Sequence, residues 1–374
     1  MLRAWLLILL GAAACGAGTP TPAQERDEAI RRAAEWLWAQ QAEDGGWHSE
    51  TYGLLRSGQA LTPFVGRVLL KVPPEIRKAP SGGFLRAREF VHRHLRSGAL
   101  GRSDPELEEY PNYATACAVM FLKSGERPPL LAWLRGQQFA EHLGWKPDDP
   151  PYGAWGLGGE PRKPPRAGHL DLSMTRHVLQ ALAAAGVSND DEAFRRAAVY
   201  VERCRNRDNG YHFSTVVLGA NKAGPMGDVY RSYGTTTADG ILSLLAMGVS
   251  KEHSSVQTAL TWLIEHHRVD RVPGLPDGEP SRWREAMIHY YWAASARVFD
   301  RIGVIRAPPR HDWRREMIAA IVARQREDGS FKNDSVLMKE DDPLIATTLA
   351  LDALLSTRSS RGREALRSQQ DRSR

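Results

Sequence analysis

The stretch 313–331, WRREMIAAIVARQREDGSF, followed at 344–355 by LIATTLALDALL, decides the fold of this chain. In the first segment apolar residues recur at helical spacing on one face, and the segment ends in a glycine turn and Phe331. The second segment is apolar or small nearly all round, which is typical of a helix with no face in water. Together they predict an outer helix, a turn and an inner helix.

The same pair of helices occurs six times along the chain. Spacings of roughly 45 to 65 residues between copies are typical of repeat proteins, in which one pair cannot bury its apolar face alone. The predicted outer elements are 33–47, 84–98, 130–138 with a turn at Gly144 and Trp145, 194–213, 256–274 and 313–331. The predicted inner elements are 59–72, 113–122, 172–185, 236–247, 288–299 and 344–355. Pro63 predicts that the first inner helix is kinked or begins late.

Six outer and six inner helices can alternate around a closed ring. An open array would need polar helices at its ends, whereas the last inner segment is as apolar as the middle ones. We therefore predict an all-α fold, an α/α toroid, in a single domain spanning 25–356. The proline-rich stretch 146–165 lies inside one repeat, so we interpret it as a rim loop and not as a domain boundary.

The turns have a structural interpretation. Gly329 would take a positive φ that ends the outer helix, and Phe331 would fold back between neighbouring repeats. Gln41, Gln138 and Gln325 precede such turns, and we expect them to cap neighbouring helix ends.

The first residues indicate export. Arg3, a short apolar run at 4–10 and small residues before Cys15 form the pattern of a signal peptide, predicted over 1–14. Cleavage before Cys15 would match a bacterial lipoprotein box, but Ala12 stands where that box usually has Leu. The sequence does not decide between lipidation of Cys15 and simple secretion. In either case we interpret 15–24 as a short linker. We expect a protein of the bacterial periplasm or cell envelope, either free or tethered to the membrane through Cys15.

The charge of the chain argues against nucleic acid as a partner. The formal net charge is +6, but the tail 357–374 holds six Arg against Glu364 and Asp371, so it carries four of those charges. We interpret this tail as a disordered, solvated end. The remaining thiols, Cys117 and Cys204, are too few for a disulfide scaffold, and we expect both to be buried.

The Gln-x-x-x-Gly-x-aromatic turns, with DLSMT at 171–175 and YGTTT at 233–237, resemble the prenyltransferase and squalene-cyclase repeat superfamily. The closest likeness is to its exported bacterial members, whose role is mostly undefined. The resemblance covers nearly the whole chain after the signal peptide and implies the toroid fold, but fold does not transfer function.

Chemistry in a toroid would lie at the mouth, where the inner helices begin. The catalytic candidates are Asp171, Asp239, His289 and Asp342. The ligand-binding candidates are Tyr113, Thr175, His177, Tyr233, Thr235, Arg282, Tyr290 and Tyr291, and the same rim would hold Tyr110, Asn112, Glu340 and Asp341. Purely structural roles are the alternative for several of these residues. Asp342 before Pro343, and Asp171, are typical helix N-caps, and His289 has the surroundings of a core residue.

Three enzyme classes can be compared with the sequence. Class II terpene cyclases of the superfamily protonate their substrate with an Asp-x-Asp-Asp motif; the nearest text is KEDD at 339–342, which lacks the first Asp. Its protein prenyltransferases hold zinc through Asp, Cys and His, but Cys117 has no Asp at a matching offset, so no metal is expected. Polysaccharide hydrolases or lyases on α/α toroids need carboxylate pairs or Tyr, His and Arg, which Asp171, Asp239, Asp342, Arg282, His289 and Tyr290 supply.

We therefore predict a non-catalytic toroid, without a cofactor, that binds a ligand or an envelope protein at its mouth. Tyrosines, Trp155, Trp283, Arg282 and His289 would line that mouth, and such residue types are enriched in recognition surfaces. A polysaccharide hydrolase or lyase, and a cyclase acting on isoprenoids, are the alternatives.

Overall fold

The computed structural model describes residues 20–104, 107–276, 282–307 and 311–358. The predicted signal peptide, Cys15 and all but the first two residues of the predicted tail lie outside these ranges, so the predictions made for them stay predictions. Within the described ranges, no helix is long and apolar enough to cross a membrane.

Helices make up almost all of the regular structure in these ranges. The outer helices are α1 (Pro22–Ala39), α3 (Gly83–His94), α5 (Pro128–Gly136), α7 (Glu192–Arg203), α9 (Ser254–Glu265) and α12 (Trp313–Val322). The inner helices are α2 (Leu61–Leu69), α4 (Pro111–Phe121), α6 (Leu172–Ala184), α8 (Gly234–Ala246), α11 (Ile288–Ile302) and α13 (Pro343–Ser356). A single turn, α10 (Trp283–Ala286), precedes α11, and a short hairpin of β1 (Pro225–Met226) and β2 (Val229–Tyr230) precedes α8.

The inner helices form a closed ring. Each packs against the next, in the order α2, α4, α6, α8, α11 and α13, and α13 packs back against α2. The outer ring closes where α1 packs against α12. Side chains join the two ends: Gln325 Nε2 donates to the Ala29 carbonyl at 3.0 Å, and Ser49 donates to Asp342. The predicted α/α toroid is confirmed.

The two rings differ in exposure as their sequence patterns predict. Every residue of α13 except Pro343 and Ile345 is buried. Helix α1 has one wet face, on which Arg31 Nη1 and Glu35 Oε2 pair at 2.6 Å, while the opposite face is buried. The inner helices therefore form the core, and the outer helices shield it from water.

In five of the six repeats, the turn between the outer and the inner helix donates a backbone N–H to a buried threonine hydroxyl of the inner helix. Gly329 has φ +91°, and a Cβ there would lie 2.7 Å from the Arg32 carbonyl oxygen, so only glycine fits. Phe331 is fully buried, and its N–H donates to Thr347 Oγ1 at 2.9 Å. Equivalent bonds join Trp47 to Thr62, Leu100 to Thr115, Trp155 to Thr175 and Tyr211 to Thr237.

The three glutamines link neighbouring outer helices. Each Nε2 donates to a carbonyl in its own turn and to a second carbonyl in the next outer helix. The second acceptors are Gly83 for Gln41, Ala193 for Gln138 and Ala29 for Gln325. These carbonyls lie in the first turns of α3 and α7 and inside α1, whereas the carbonyls that need a cap lie in the last turn of a helix. The glutamines therefore bridge neighbouring helices, and the prediction that they cap helix ends is wrong.

The turn of the third repeat and the start of the first inner helix can be compared with their predictions. The turn of the third repeat is formed by Gly153, with φ +87°, and Trp155, and not by Gly144 and Trp145 as predicted. An insertion separates this turn from its outer helix, yet Gln138 still donates to the Gly153 carbonyl at 3.0 Å. Helix α2 does begin late, at Leu61, which places Pro63 in the first turn where its missing N–H costs no helical bond.

Candidate functional site

A cavity of about 390 Å³ occupies the centre of the toroid at the end where the inner helices begin. All six inner helices line it with their N-terminal halves, and the loops that precede them form the mouth. Most of the wall is apolar, including Leu61, Phe64, Phe213, Met287, Ile345 and Leu349. The volume lies within the range of small-molecule sites, about 300–1,000 Å³.

Polar groups at the bottom of the cavity converge from three neighbouring inner helices. Ser173 and Arg176 come from α6, Asp239 from α8 and Tyr290 from α11. Arg176 Nε donates to Asp239 Oδ1 at 2.9 Å, and the Tyr290 hydroxyl donates to Asp239 Oδ2 at 2.9 Å. Tyr290 in turn lies 2.6 Å from both Ser173 Oγ and Arg176 Nη2. We call these four residues the floor cluster.

Burial controls the protonation of Asp239. The carboxyl is only 1% exposed, and burial raises its pKa to about 6 although Arg176 and Tyr290 pull in the opposite direction. Burial also raises the pKa of Tyr290, so its hydroxyl keeps its proton. A carboxyl that titrates this close to neutrality can give or take a proton under ordinary conditions. The floor cluster thus offers an anchor for a polar group and a candidate acid or base.

Two lysines lie at the mouth, on the loops before α8 and α13. Lys222, in the loop before α8, has its Nζ 4.1 Å from the centre of the Phe213 ring and 5.4 Å from that of Trp283. Burial lowers the pKa of Lys222. Lys339, in the loop before α13, lies 5.4 Å from the Tyr52 ring. Both lysines line the cavity, as do the carboxylates of Asp171 and Glu340.

Asp171 and Asp342 are both helix N-caps, as their sequence contexts suggest. Asp171 Oδ1 accepts a bond of 2.7 Å from the Met174 N–H, and Asp342 Oδ1 accepts one of 2.8 Å from the Leu344 N–H. Asp171 also lines the cavity, with its second oxygen 3.0 Å from His169 Nε2. Asp342 does not line the cavity, so the acid suggested by the cyclase-like text lies away from any ligand bound there.

The other acids of the stretch 339–342 have structural partners as well. Glu340 accepts the Tyr290 N–H at 2.8 Å and the His289 N–H at 3.0 Å, and therefore caps α11. Asp341 accepts the Tyr52 hydroxyl, which joins the last repeat to the first. The carboxylates closest in sequence to an Asp-x-Asp-Asp motif thus hold helix ends and repeat contacts.

The cavity brings together about half of the residues predicted for the site. The catalytic candidates on its wall are Asp171 and Asp239, and the ligand-binding candidates on its wall are Tyr113, Tyr233, Thr235 and Tyr290. Tyr110 and Glu340 also line it.

Five other predicted site residues also lie elsewhere, for reasons that their contacts explain. Thr175 is fully buried and accepts the Trp155 N–H at 3.2 Å. His177 packs behind Tyr113, with ring centres 4.4 Å apart. Tyr291 follows Tyr290 on the helix and so points away from the cavity, to His267 Nδ1 at 2.9 Å. His289 Nδ1 lies 2.9 Å from Glu340 Oε2, and Arg282 is exposed and pairs with Glu285 at 3.5 Å.

The aromatic wall expected from Trp155 and Trp283 also needs correction. Trp155 is fully buried in its repeat turn, and its Nε1 donates to the Leu134 carbonyl at 2.7 Å. Trp283 contacts Lys222 but does not line the cavity, and Asn112 lines a smaller pocket of about 60 Å³ beside it.

Sequence reasoning missed Arg176, Lys222 and Lys339. A signal existed for Arg176, because it interrupts an otherwise apolar inner helix and a buried charge requires a partner. No pattern marks the two lysines, since they lie on loops of irregular sequence.

Neither thiol takes part in the site. Cys117 and Cys204 are buried and unbridged, as predicted. In the part of the chain that the structure describes, no group of three or more His, Cys, Asp and Glu residues is placed to hold a metal ion.

No protein-family model and no curated protein matches the sequence. Solved structures do match. The type II terpene cyclase MstE from Scytonema, in complex with geranylgeranyl dihydroxybenzoate, aligns with a TM-score of 0.57 at 12% identity, covering 90% of this chain and 98% of that one. The unsaturated glucuronyl hydrolase from Bacillus sp. GL1 aligns with a TM-score of 0.55 at 12% identity, covering 90% and 97%. Both neighbours share the ring of paired helices. The chain is an α/α toroid. Identities this low show the fold alone, so the activities of the two neighbours are not assigned to this chain.

Proposed function

We propose that this toroid binds an elongated, mostly apolar ligand with one polar group, such as an isoprenoid alcohol or acid, and does so without turnover. The observation that carries the proposal is the distribution of polarity in the cavity. Most of its wall is apolar, and its charged groups lie in the floor cluster and near the mouth, where Lys222, Lys339, Asp171 and Glu340 line it. An amphipathic chain would bury its hydrocarbon along the wall and satisfy its polar group at one end.

The surface around the mouth supports an apolar ligand. Among the described residues, eight large apolar side chains are exposed, and five of these lie on the two loops that flank the mouth. Leu218, Met226 and Val229 lie on the loop before α8, and Val336 and Leu337 lie on the loop before α13. An apolar entrance of this kind lowers the cost of moving a hydrocarbon chain out of its own apolar surroundings.

The structural neighbours suggest two ligand classes. One neighbour is bound to geranylgeranyl dihydroxybenzoate, and the other degrades glycosaminoglycan. A sugar would need polar partners along its whole length, whereas most of the wall here is apolar. The apolar wall therefore favours the isoprenoid class.

A cavity-filling variant tests binding. Ile345 is half-buried and lines the cavity, so Ile345→Trp should place an indole in the space of the ligand. We expect the wild-type protein to retain geranylgeraniol in native mass spectrometry and Ile345→Trp to lose it. Ile305 is 76% exposed and lies outside the cavity, so Ile305→Trp is the matched control and should bind like the wild type. Equal binding by both variants, with unchanged circular dichroism, would rule out this cavity as the site.

Asp239 supports an enzymatic function as the second candidate. Its raised pKa and its bond to Tyr290 would suit proton transfer to or from a ligand held at the floor cluster. Either a cyclase-like reaction or attack on a polysaccharide would then depend on Asp239 and not on Asp342. Incubation with geranylgeraniol or an unsaturated glucuronyl disaccharide, followed by product analysis, tests this. A product formed by the wild type and lost in Asp239→Asn would replace the binding proposal by the enzymatic one.

Export also remains a proposal, because it rests on residues 1–19, outside the described ranges. The intact mass of the protein purified from its own envelope fraction would show whether the signal peptide is removed and whether Cys15 carries lipid.

A further inference from the structure

A second group of charges lies deeper in the ring than the cavity. Asp352, on α13, accepts a bond of 2.9 Å from Lys71 Nζ and another from Arg297. Arg67 Nη1 lies 4.0 Å from the same carboxylate. We call these four residues the basal cluster. It adjoins the floor cluster, because Arg297 and Arg176 both reach the side-chain oxygen of Gln180, at 3.4 and 2.9 Å.

Positive charge is in excess across the two clusters. Three mostly buried cations, Arg67, Arg176 and Arg297, face two carboxylates, Asp239 and Asp352, and the more exposed Lys71 adds a fourth positive charge. Burial and Arg176 hold the pKa of the adjacent His177 well below its usual value, so that ring is neutral. The carbonyl ends of the inner helices offset part of the excess, but a buried surplus of cations is costly unless an anion balances it.

Arg67 has the poorest set of partners in this group. It is 5% exposed, and its Nε is buried without a hydrogen-bond partner. The guanidinium lies 5.1 Å from the centre of the Phe64 ring and faces the Tyr113 hydroxyl and the Cys117 thiol. Burial raises the pKa of both groups, so both are neutral and supply no negative charge.

We propose that a small monovalent anion of the halide class binds at Arg67, on the side of the basal cluster that adjoins the floor cluster. A halide suits this place because it is spherical and can be held by a single N–H donor together with a surplus of positive charge. A phosphate would require several donors directed at its oxygens. Lys71, whose side chain is 46% exposed, brings the basal cluster to the surface at the end of the ring away from the mouth, and gives a route of entry.

Unfolding experiments at constant ionic strength test the site. Sodium gluconate is replaced stepwise by sodium chloride or sodium bromide, and the midpoint of thermal unfolding is followed. We expect the wild-type midpoint to rise and saturate in the millimolar range of either halide, since a ligand that binds only the folded state stabilises it. Bromide is a weakly hydrated anion that would otherwise lower stability, so a rise identifies a site.

Three variants connect the effect to the cluster. Arg67→Met should abolish the halide response. Arg88→Met is the matched control, because Arg88 also lies over a phenylalanine, Phe121, at 5.6 Å and also has a buried Nε without a partner, but it belongs to neither cluster. This variant should keep the wild-type response. Asp352→Asn removes a competing negative charge and should tighten halide binding by at least about tenfold.

Crystals of the wild type grown with bromide give a readout that does not depend on any variant folding. An anomalous peak within hydrogen-bond distance of Arg67 Nε would support the proposal. A wild-type midpoint that is the same in gluconate and bromide, a full response in Arg67→Met, or no peak at Arg67 in such crystals would each overturn it.

Discussion

At Asp239, burial and ion pairing act in opposite directions. The carboxylate has a cation 2.9 Å away in Arg176, which would ordinarily favour ionisation, yet removal from water outweighs this and raises its pKa. The same residue can therefore act as an anchor when ionised and as a proton donor when neutral. The sequence could nominate Asp239 as a site residue, but its partners come from other repeats and no spacing in the sequence reveals them.

The titration of Asp239 should be visible in stability. Its pKa is 3.8 when unfolded and about 6 when folded, so the folded state holds the proton more tightly. The resulting stabilisation is complete below pH 3.8 and is lost as the pH rises through about 6. Relative to Asp239→Asn, the wild-type free energy of unfolding should fall by about 3 kcal/mol across this window. Urea unfolding of both proteins at several pH values measures it, and a constant difference would contradict the assignment.

Substitutions at two glycines can distinguish the cost of a left-handed backbone from the cost of a steric clash. Gly329 and Gly303 have nearly the same φ, +91° and +89°, but a Cβ at Gly329 would meet the Arg32 carbonyl oxygen at 2.7 Å, whereas nothing lies within 4 Å at Gly303. Gly303→Ala should cost about 1 kcal/mol from the left-handed conformation alone. Gly329→Ala adds displacement of a neighbouring helix and should cost about 3 kcal/mol or more. Similar losses in chemical denaturation would show that the repeat contact is easily relaxed.

At the scale of the elements, a bond from the turn to a buried threonine recurs in five of the six repeats. The aromatic turn and the apolar inner helix were predictable from the sequence, because each repeats along the chain. The threonine bond was not, because threonine in a helix has several common roles. Thr175 illustrates this: its position near the mouth suggested ligand binding, but its hydroxyl accepts the Trp155 N–H.

Neighbouring threonines on α13 allow this bond to be tested. Thr347 Oγ1 accepts the Phe331 N–H at 2.9 Å, whereas the hydroxyl of Thr348, equally buried, donates only to the Leu344 carbonyl of its own helix at 2.7 Å. Thr347→Val leaves a buried N–H unpaired and should cost about 1–3 kcal/mol. Thr348→Val should cost less than about 1 kcal/mol, because the carbonyl keeps its helical bond. Equal losses in urea unfolding would remove the special role of the turn bond.

At the scale of the whole molecule, the ring was predictable and its charged interior was not. Six apolar inner segments without polar end helices are sufficient to predict closure. Arg67, Arg176, Arg297 and Asp352 lie in four different inner segments, and only the closed ring places them side by side. The sequence could show that these charges are buried, but not that cations outnumber carboxylates there.

Closure has a measurable consequence for folding. A chain ending at residue 307 lacks α12 and α13, and it exposes the faces of α1, α2 and α11 that pack against them. We expect this shortened chain to lose cooperative unfolding and native circular dichroism, because the ring can no longer close. In an open solenoid the remaining repeats would stay folded. A sharp thermal transition in the shortened chain would therefore contradict the importance of closure.

The junction between the first and last repeats has one more implication. Arg358, at the end of the described residues, has its Nη1 3.6 Å from Asp27 Oδ1 on the first helix. The two ends of the described chain therefore lie close together, and a linker could join them without disturbing the packing of the helix pairs. A circular permutant, with a short linker between residues 358 and 22 and new termini in the loop between α7 and α8, should assemble the same ring. The toroid would then behave as a cycle that the chain enters at an arbitrary repeat.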